Sequence, residues 1–120
     1  MMNEIKCGAV LMAAAHKQGV EMNHDDATVV LSYMGIMDKY LLCSPDLSGL
    51  TLRHYTGGGK FTDTPCNILG AVRYAVEVCK SLLDYTLETK ERGYTQDARY
   101  YRKEMKTLKR LAATYATALS

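Results

Sequence analysis

The chain has 120 residues, of which 48% are hydrophobic and 23% are charged, and its formal net charge is +2. This size and composition predict a single globular domain, and the small net charge argues against non-specific duplex binding. No stretch approaches the roughly 20 apolar residues that span a bilayer, and the N-terminus lacks a secretory pattern. We therefore expect no membrane association and a soluble, cytoplasmic protein. The four cysteines form no CxxC pair, so neither a metal nor a cofactor is expected.

The N-terminal segment, residues 1–47, is predicted to be helical or mixed. A first helix is indicated over residues 3–17, because basic residues and then a glycine follow its last apolar positions. Asp25 is a candidate cap for a second helix that ends before the next proline. The β-branched run after Asp25 is also typical of a strand. Residues 26–43 are therefore open to either interpretation.

Residues 48–64 are predicted to form a β-hairpin. Short alternating patterns lie on both sides of three consecutive glycines, and such glycines are typical of a hairpin tip.

Residues 65–120 predict two long helices that fold back on each other. Thr64 is expected to cap the first, with Pro65 at its first helical position, and Thr95 is expected to cap the second. Apolar positions recur every three or four residues at Ile68, Val72, Ala75, Cys79, Leu82 and Thr86, and again at Ala98, Tyr101, Met105, Leu108, Ala112, Tyr115 and Leu119. Two helices of about 25 residues joined by a few residues predict an antiparallel helical hairpin.

The predicted fold class is α+β, mainly α, with a short β-hairpin packed with this long C-terminal helical hairpin. The long helices extend beyond what the short N-terminal elements can cover, so burial of their apolar surface favours a homo-oligomer, a dimer or higher.

The glycine tip raises the question of phosphate binding. It is not a P-loop, because His54 stands in the place of the first glycine and Phe61 in that of the Ser/Thr. Consecutive glycines nevertheless let backbone N–H groups converge on an anion, with cationic and aromatic side chains beside them. The other interpretation is a flexible tip with a solvated lysine. The hairpin candidates for ligand binding are Arg53, Tyr55, Gly57, Gly58, Gly59, Lys60 and Thr62.

A second cationic feature lies in the predicted last helix. Its basic residues are opposed only by Glu104 and fall on the side away from the apolar positions: Arg99, Arg102, Lys103, Lys106, Lys109 and Arg110. Such a run can be a solvated helix face, or it can complete an anion pocket at a subunit boundary. The candidate ligand contacts among them are Arg99, Arg102, Lys106 and Arg110. Neither a base–nucleophile pair nor a metal site can be assembled, so we expect no enzymatic activity.

The layout of these segments resembles the Thoeris anti-defence family of phage proteins. The resemblance covers roughly the last two-thirds of the chain, through "TLRHYTGGGKFTD", "TPCNILGAVRYAVEVCK" and "ARYYRKEMKTLKR". It implies an oligomeric sponge in the host cytoplasm that traps cyclic ADP-ribose-type signals, or in some members cyclic oligonucleotides, without cleaving them. It also implies phosphate contacts from Arg53 and from one of Arg99, Arg102 or Arg110.

Three functional hypotheses follow. The first is non-catalytic sequestration of a small phosphate-bearing nucleotide signal, which would counteract antiphage immunity and uses both cationic features. The second is an anti-defence inhibitor that binds a protein, as anti-CRISPR proteins do. The third, less favoured, is weak nucleic-acid binding by the basic helix face, which would depend steeply on salt.

Overall fold

The computed structural model describes all of Met1–Ser120 as four helices and one four-stranded antiparallel sheet. The elements in chain order are β1 (Asn3–Glu4), α1 (Gly8–Lys17), α2 (His24–Ser32), a 3-10 turn (Ile36–Asp38), β2 (Lys39–Cys43), β3 (Leu50–Gly57), β4 (Lys60–Cys66), α3 (Ile68–Thr89) and α4 (Tyr94–Ala118). The sheet order is β1-β2-β3-β4. The predicted α+β class with a long C-terminal helix pair is confirmed. None of the helices combines the length and the apolar character needed to cross a bilayer.

The N-terminal third contains two helices and two strands. The predicted helix over residues 3–17 begins too early, since Asn3 and Glu4 pair with β2 and α1 starts only at Gly8. The ambiguous residues 26–43 contain most of α2, the 3-10 turn and all of β2, so both interpretations hold for part of the range. The cap of α2 is Asn23 rather than Asp25, because the Asn23 side-chain oxygen accepts a 2.8 Å hydrogen bond from the Asp26 backbone N–H.

A sharp reversal separates α2 from β2. Gly35 has a φ of 81°, and Met37 and Asp38 follow with φ values of 61° and 60°. Left-handed conformations in two non-glycine residues are uncommon and turn the chain abruptly. This reversal explains why one continuous pattern in the sequence yields a helix and then a strand.

The predicted β-hairpin is confirmed and extends further than expected. β3 and β4 pair antiparallel from Leu50↔Cys66 to Gly57↔Lys60, with an irregularity between Tyr55 and Gly57. Its tip requires glycine, because Gly57, Gly58 and Gly59 have φ values of 106°, 60° and 77°. Because the hairpin runs to Cys66, the predicted boundary at residue 64 is two residues too early.

The predicted caps of the two long helices are wrong. Thr64 and Pro65 pair with β3 and belong to β4, and α3 is capped by Asn67, whose side chain accepts a 2.8 Å hydrogen bond from the Gly70 N–H. Pro65 is tolerated in β4 because this is an edge strand. Thr95 lies inside α4, which begins after Gly93 in a left-handed conformation with a φ of 82°.

The core lies between the helices and one face of the sheet. The predicted apolar seams are confirmed, with Val72 and Leu108 fully enclosed among residues of α1, α2 and the sheet. The seams are less covered toward the turn between α3 and α4, where no residue of the range 80–97 is fully buried. The distal half of the helical hairpin therefore extends beyond the rest of the domain.

Candidate functional site

Arg53 is held by a carboxylate of the same hairpin. Its Nε and Nη2 donate hydrogen bonds of 2.8 and 3.0 Å to the two carboxylate oxygens of Asp63. The guanidinium carbon lies 3.8 Å from the centre of the Phe61 ring. The hydrogen bonds from Arg53 lower the pKa of Asp63 below its ordinary value, so the pair stays ionised at neutral pH. The charge of this candidate ligand residue is thus satisfied within the hairpin.

The glycine tip projects into solvent. Apart from each glycine and its two chain neighbours, no residue has an atom within 4 Å of the position that a Cβ would take at Gly57, Gly58 or Gly59. Lys60 and Thr62, the other candidates on this side of the hairpin, are also exposed. The tip is therefore a solvent-exposed hairpin turn, closed by the Gly57↔Lys60 pair, with no second element of the chain beside it.

The sheet face that carries Tyr55 forms a cavity whose charge is negative. Tyr55 meets Tyr40 edge to face, with ring centres 5.6 Å apart. A cavity of about 390 Å³ lies here, lined by Glu4, Asp38, Tyr40, Leu42 and Tyr55. One carboxylate of its rim, Glu4, lies 3.3 Å from Lys6 Nζ, whereas Asp38 has no cation within ion-pair range and leaves the rim acidic. The residues that line this cavity come from three strands and a turn, so the cavity could not be predicted without the register of the sheet.

The basic residues of α4 form an exposed surface that we call the cationic face, made of Arg99, Arg102, Lys103, Lys106, Lys109 and Arg110. Only Arg110 has a carboxylate within ion-pair range, with its Nη2 at 3.6 Å from Asp26 Oδ1. Glu104 is engaged elsewhere, since it accepts hydrogen bonds from the hydroxyls of Tyr33 at 3.2 Å and Tyr100 at 2.9 Å. The remaining cations therefore act on solvent or on a ligand.

A second cavity adjoins the cationic face. This α2–α4 cavity has a volume of about 380 Å³ and is lined by Glu21, Met22, Asn23, Asp26, Arg110, Leu111, Thr114 and Tyr115. The Tyr115 hydroxyl is buried and has no hydrogen-bond partner. Burial first, and then the charge of Asp26, raise the pKa of Tyr115, while Arg110 opposes the shift. The apolar spacing of the last helix predicted a core position for Tyr115, which is correct, and it contains no signal that the Tyr115 hydroxyl would lack a hydrogen-bond partner.

The structure keeps the two predicted groups of ligand residues apart within one chain. The cavity at the hairpin contains Tyr55 and none of the α4 candidates, whereas the α2–α4 cavity contains Arg110 and none of the hairpin candidates. The other two cavities contain no member of either group. No cavity of the single chain therefore joins the two groups.

No protein-family model, curated protein or solved structure matches this chain. The site is therefore described by the chemistry of its own residues. No group of three or more His, Cys, Asp or Glu side chains is arranged to hold a metal ion.

Proposed function

We propose that this protein binds and sequesters a small phosphate-bearing nucleotide signal, of the cyclic ADP-ribose or cyclic nucleotide type, without cleaving it. The observation that carries the proposal is the cationic face, on which five exposed Lys and Arg side chains have no carboxylate within ion-pair range. Arginine binds phosphate with two parallel hydrogen bonds, and lysine adds a mobile point charge. The layout similarity to the Thoeris anti-defence family supports a role against antiphage immunity in the host cytoplasm.

The phosphate contacts are assigned to α4 rather than to the hairpin. Arg53 would have to leave Asp63 and the Phe61 ring to reach a ligand, whereas Arg99, Arg102 and Lys106 are free of such partners. The open glycine tip is assigned a secondary role, in which its N–H groups contact a ligand held by another copy of the chain.

A homo-oligomer is part of the proposal. The distal half of the helical hairpin has partly exposed apolar side chains, and Tyr85 on α3 is 58% exposed. A second copy would cover this surface, and it would also bring a hairpin to a neighbouring cationic face. Native mass spectrometry of the purified protein reports the number of subunits directly.

Binding experiments with intact nucleotides test the function. Cyclic ADP-ribose and a cyclic dinucleotide are titrated into the protein by calorimetry, and the ligand is then recovered and analysed by chromatography. We expect stoichiometric binding and an unaltered ligand. Replacing Arg102 and Lys106 by Gln is expected to weaken binding about tenfold or more, since each charge-assisted hydrogen bond contributes about 1.5–3 kcal/mol.

The matched control is the double replacement of Lys90 and Arg92 by Gln. These residues lie in the exposed turn between α3 and α4, so the change in net charge is the same and the cationic face is left intact. An equal loss of binding in both variants, a cleaved nucleotide, or no binding of either nucleotide contradicts the proposal.

A second function, inhibition of a host protein by direct binding, is favoured by the exposed aromatic side chains of the hairpin. Tyr55 and Phe61 are 39% and 48% exposed and lie edge to face, with ring centres 5.8 Å apart. Aromatic residues of this kind are enriched at protein interfaces. Replacing Phe61 by Ser would abolish such an interaction and leave nucleotide binding by α4 unchanged.

A further inference from the structure

Tyr115 is a buried hydrogen-bond donor without a partner inside the protein. Only 2% of the residue is exposed, and its hydroxyl makes no hydrogen bond to any other residue. Most buried polar groups in folded proteins are paired, and an exception calls for an explanation. The hydroxyl itself is covered, and the charges of Asp26 and Arg110, which line the α2–α4 cavity with Tyr115, both act on it. A small displacement of these side chains would therefore bring the hydroxyl to an acceptor atom of a ligand in that cavity.

Arg110 supplies a second donor to the same cavity. Its Nη2 lies 3.6 Å from Asp26 Oδ1, which is longer than a hydrogen bond, and 61% of its side chain is exposed. The guanidinium is therefore attracted to Asp26 and still has N–H groups to offer. Lys103 and Lys106, which precede Arg110 by two turns and one turn, are exposed along the same line of α4. A phosphate at the mouth of the cavity would contact Arg110, and Lys103 and Lys106, which do not line the cavity, would add positive charge beside it.

The remaining polar groups of the cavity favour hydroxyl groups on the ligand. Asp26 and Glu21 are acceptors, and Glu21 Oε1 lies 2.9 Å from His16 Nδ1. The Thr114 hydroxyl donates its hydrogen to the Arg110 carbonyl oxygen at 2.9 Å, so the Thr114 oxygen is left to act as an acceptor. These oxygens repel an isolated phosphate but accept hydrogen bonds from sugar hydroxyls. A cavity of about 380 Å³ lies at the small end of the range for ligand sites.

From this donor and acceptor set we infer that the α2–α4 cavity binds a phosphorylated sugar, with Arg110 on the phosphate, the Tyr115 hydroxyl on a sugar or phosphate oxygen, and Asp26 on a sugar hydroxyl. The inference rests on the proposed nucleotide-binding function and locates the sugar-phosphate part of the nucleotide.

The test uses ribose 5-phosphate, ribose and inorganic phosphate as separate probes, titrated into the isotope-labelled protein and followed by NMR. Ribose 5-phosphate is expected to shift the amide signals of α2 and of the second half of α4. Ribose 5-phosphate is expected to bind at least tenfold tighter than either ribose or phosphate, because only this ligand engages both the cation Arg110 and the acceptors of the cavity.

Two variants with matched controls localise the binding. Tyr115→Phe removes one oxygen and keeps the ring, and it is expected to weaken ribose 5-phosphate binding about tenfold, the contribution of one good hydrogen bond. Its control is Tyr101→Phe, a half-buried tyrosine of the same helix whose hydroxyl makes no hydrogen bond in the protein. Arg110→Gln is compared with Arg92→Gln, which removes the same charge from the exposed turn between α3 and α4.

The outcomes separate the two proposals. If nucleotides bind and the Tyr115 and Arg110 variants bind them as tightly as the unchanged protein, the sugar-phosphate inference is overturned and the proposed function stands. If no nucleotide binds but ribose 5-phosphate does so through Arg110 and Tyr115, the cavity assignment holds and the nucleotide function fails. If neither ligand binds, both are wrong. Equal losses from Arg110→Gln and Arg92→Gln show a diffuse charge effect and also overturn the assignment.

Discussion

The unpaired hydroxyl of Tyr115 makes a prediction about stability that needs no ligand. In the free protein this group is removed from water without gaining a hydrogen bond, which costs about 1–3 kcal/mol. Tyr115→Phe removes the hydroxyl and keeps the ring in the core. We expect the free energy of unfolding to rise by about 1 kcal/mol, at the lower end because the small space left behind offsets part of the gain.

The size of the thermal shift follows from the length of the chain. An unfolding entropy of about 2.1 cal/mol/K per residue, over 120 residues, is about 250 cal/mol/K. A gain of about 1 kcal/mol therefore raises the Tm by about 4 °C. Urea denaturation measures the free energy, and differential scanning calorimetry measures the Tm.

Tyr74→Phe is the matched control, because the same atom is removed and the expected change in the free energy of unfolding has the opposite sign. Tyr74 is 6% exposed, and its hydroxyl donates a 2.6 Å hydrogen bond to the Ile36 carbonyl oxygen. Its loss is expected to destabilise the protein by about 1 kcal/mol or more. The reasoning is refuted if Tyr115→Phe destabilises the protein as much as Tyr74→Phe does, since the Tyr115 hydroxyl would then have a partner.

Three further predictions concern other parts of the fold. The side-chain hydroxyls of neighbouring serines lower the pKa of Asp46 from 3.8 to about 2. The contribution of the Asp46 carboxylate to stability is therefore complete above pH 4 and is lost as the pH falls toward 2. Carbon-13 NMR measures the pKa of Asp46, and an unshifted value would contradict the prediction. Burial raises the pKa of Cys66 to about 11, so a thiol reagent at pH 8 should modify exposed Cys7 first, and equal rates would be the contrary result. Leu108→Ala should cost about 2–5 kcal/mol in urea denaturation, because the side chain is fully buried, and a cost below about 1 kcal/mol would place Leu108 outside the core.

The long helices and the hairpin were predictable because their signals are local. A helix that packs on a core repeats its apolar residues every three or four positions. Both seams of the helical hairpin follow this rule, and Leu108 in the seam of α4 is among the core residues that it predicts. The glycine tip is equally local, since only glycine adopts three successive positive φ values readily. Element ends were less predictable: Pro65 suits the first turn of a helix, but pairing of β4 with β3 holds it in a strand.

The candidate site depended on contacts between residues distant in the sequence. That Arg53 carries a positive charge is evident from the sequence, but its neutralisation by Asp63 depends on the register of β3 and β4. The α2–α4 cavity joins Asp26 and Tyr115, which are almost ninety positions apart in the sequence. No local pattern reports whether a buried hydroxyl has found a partner.

The helical seams, the hairpin and the cationic face follow from local sequence alone, because periodicity and backbone freedom are properties of neighbouring residues. Which charges remain free and where a cavity opens depend on the folded chain, because both result from the packing of distant segments. Arg53 and Arg110 look alike as residues in the sequence, and the fold pairs the first fully with a carboxylate and leaves the second with donors to offer.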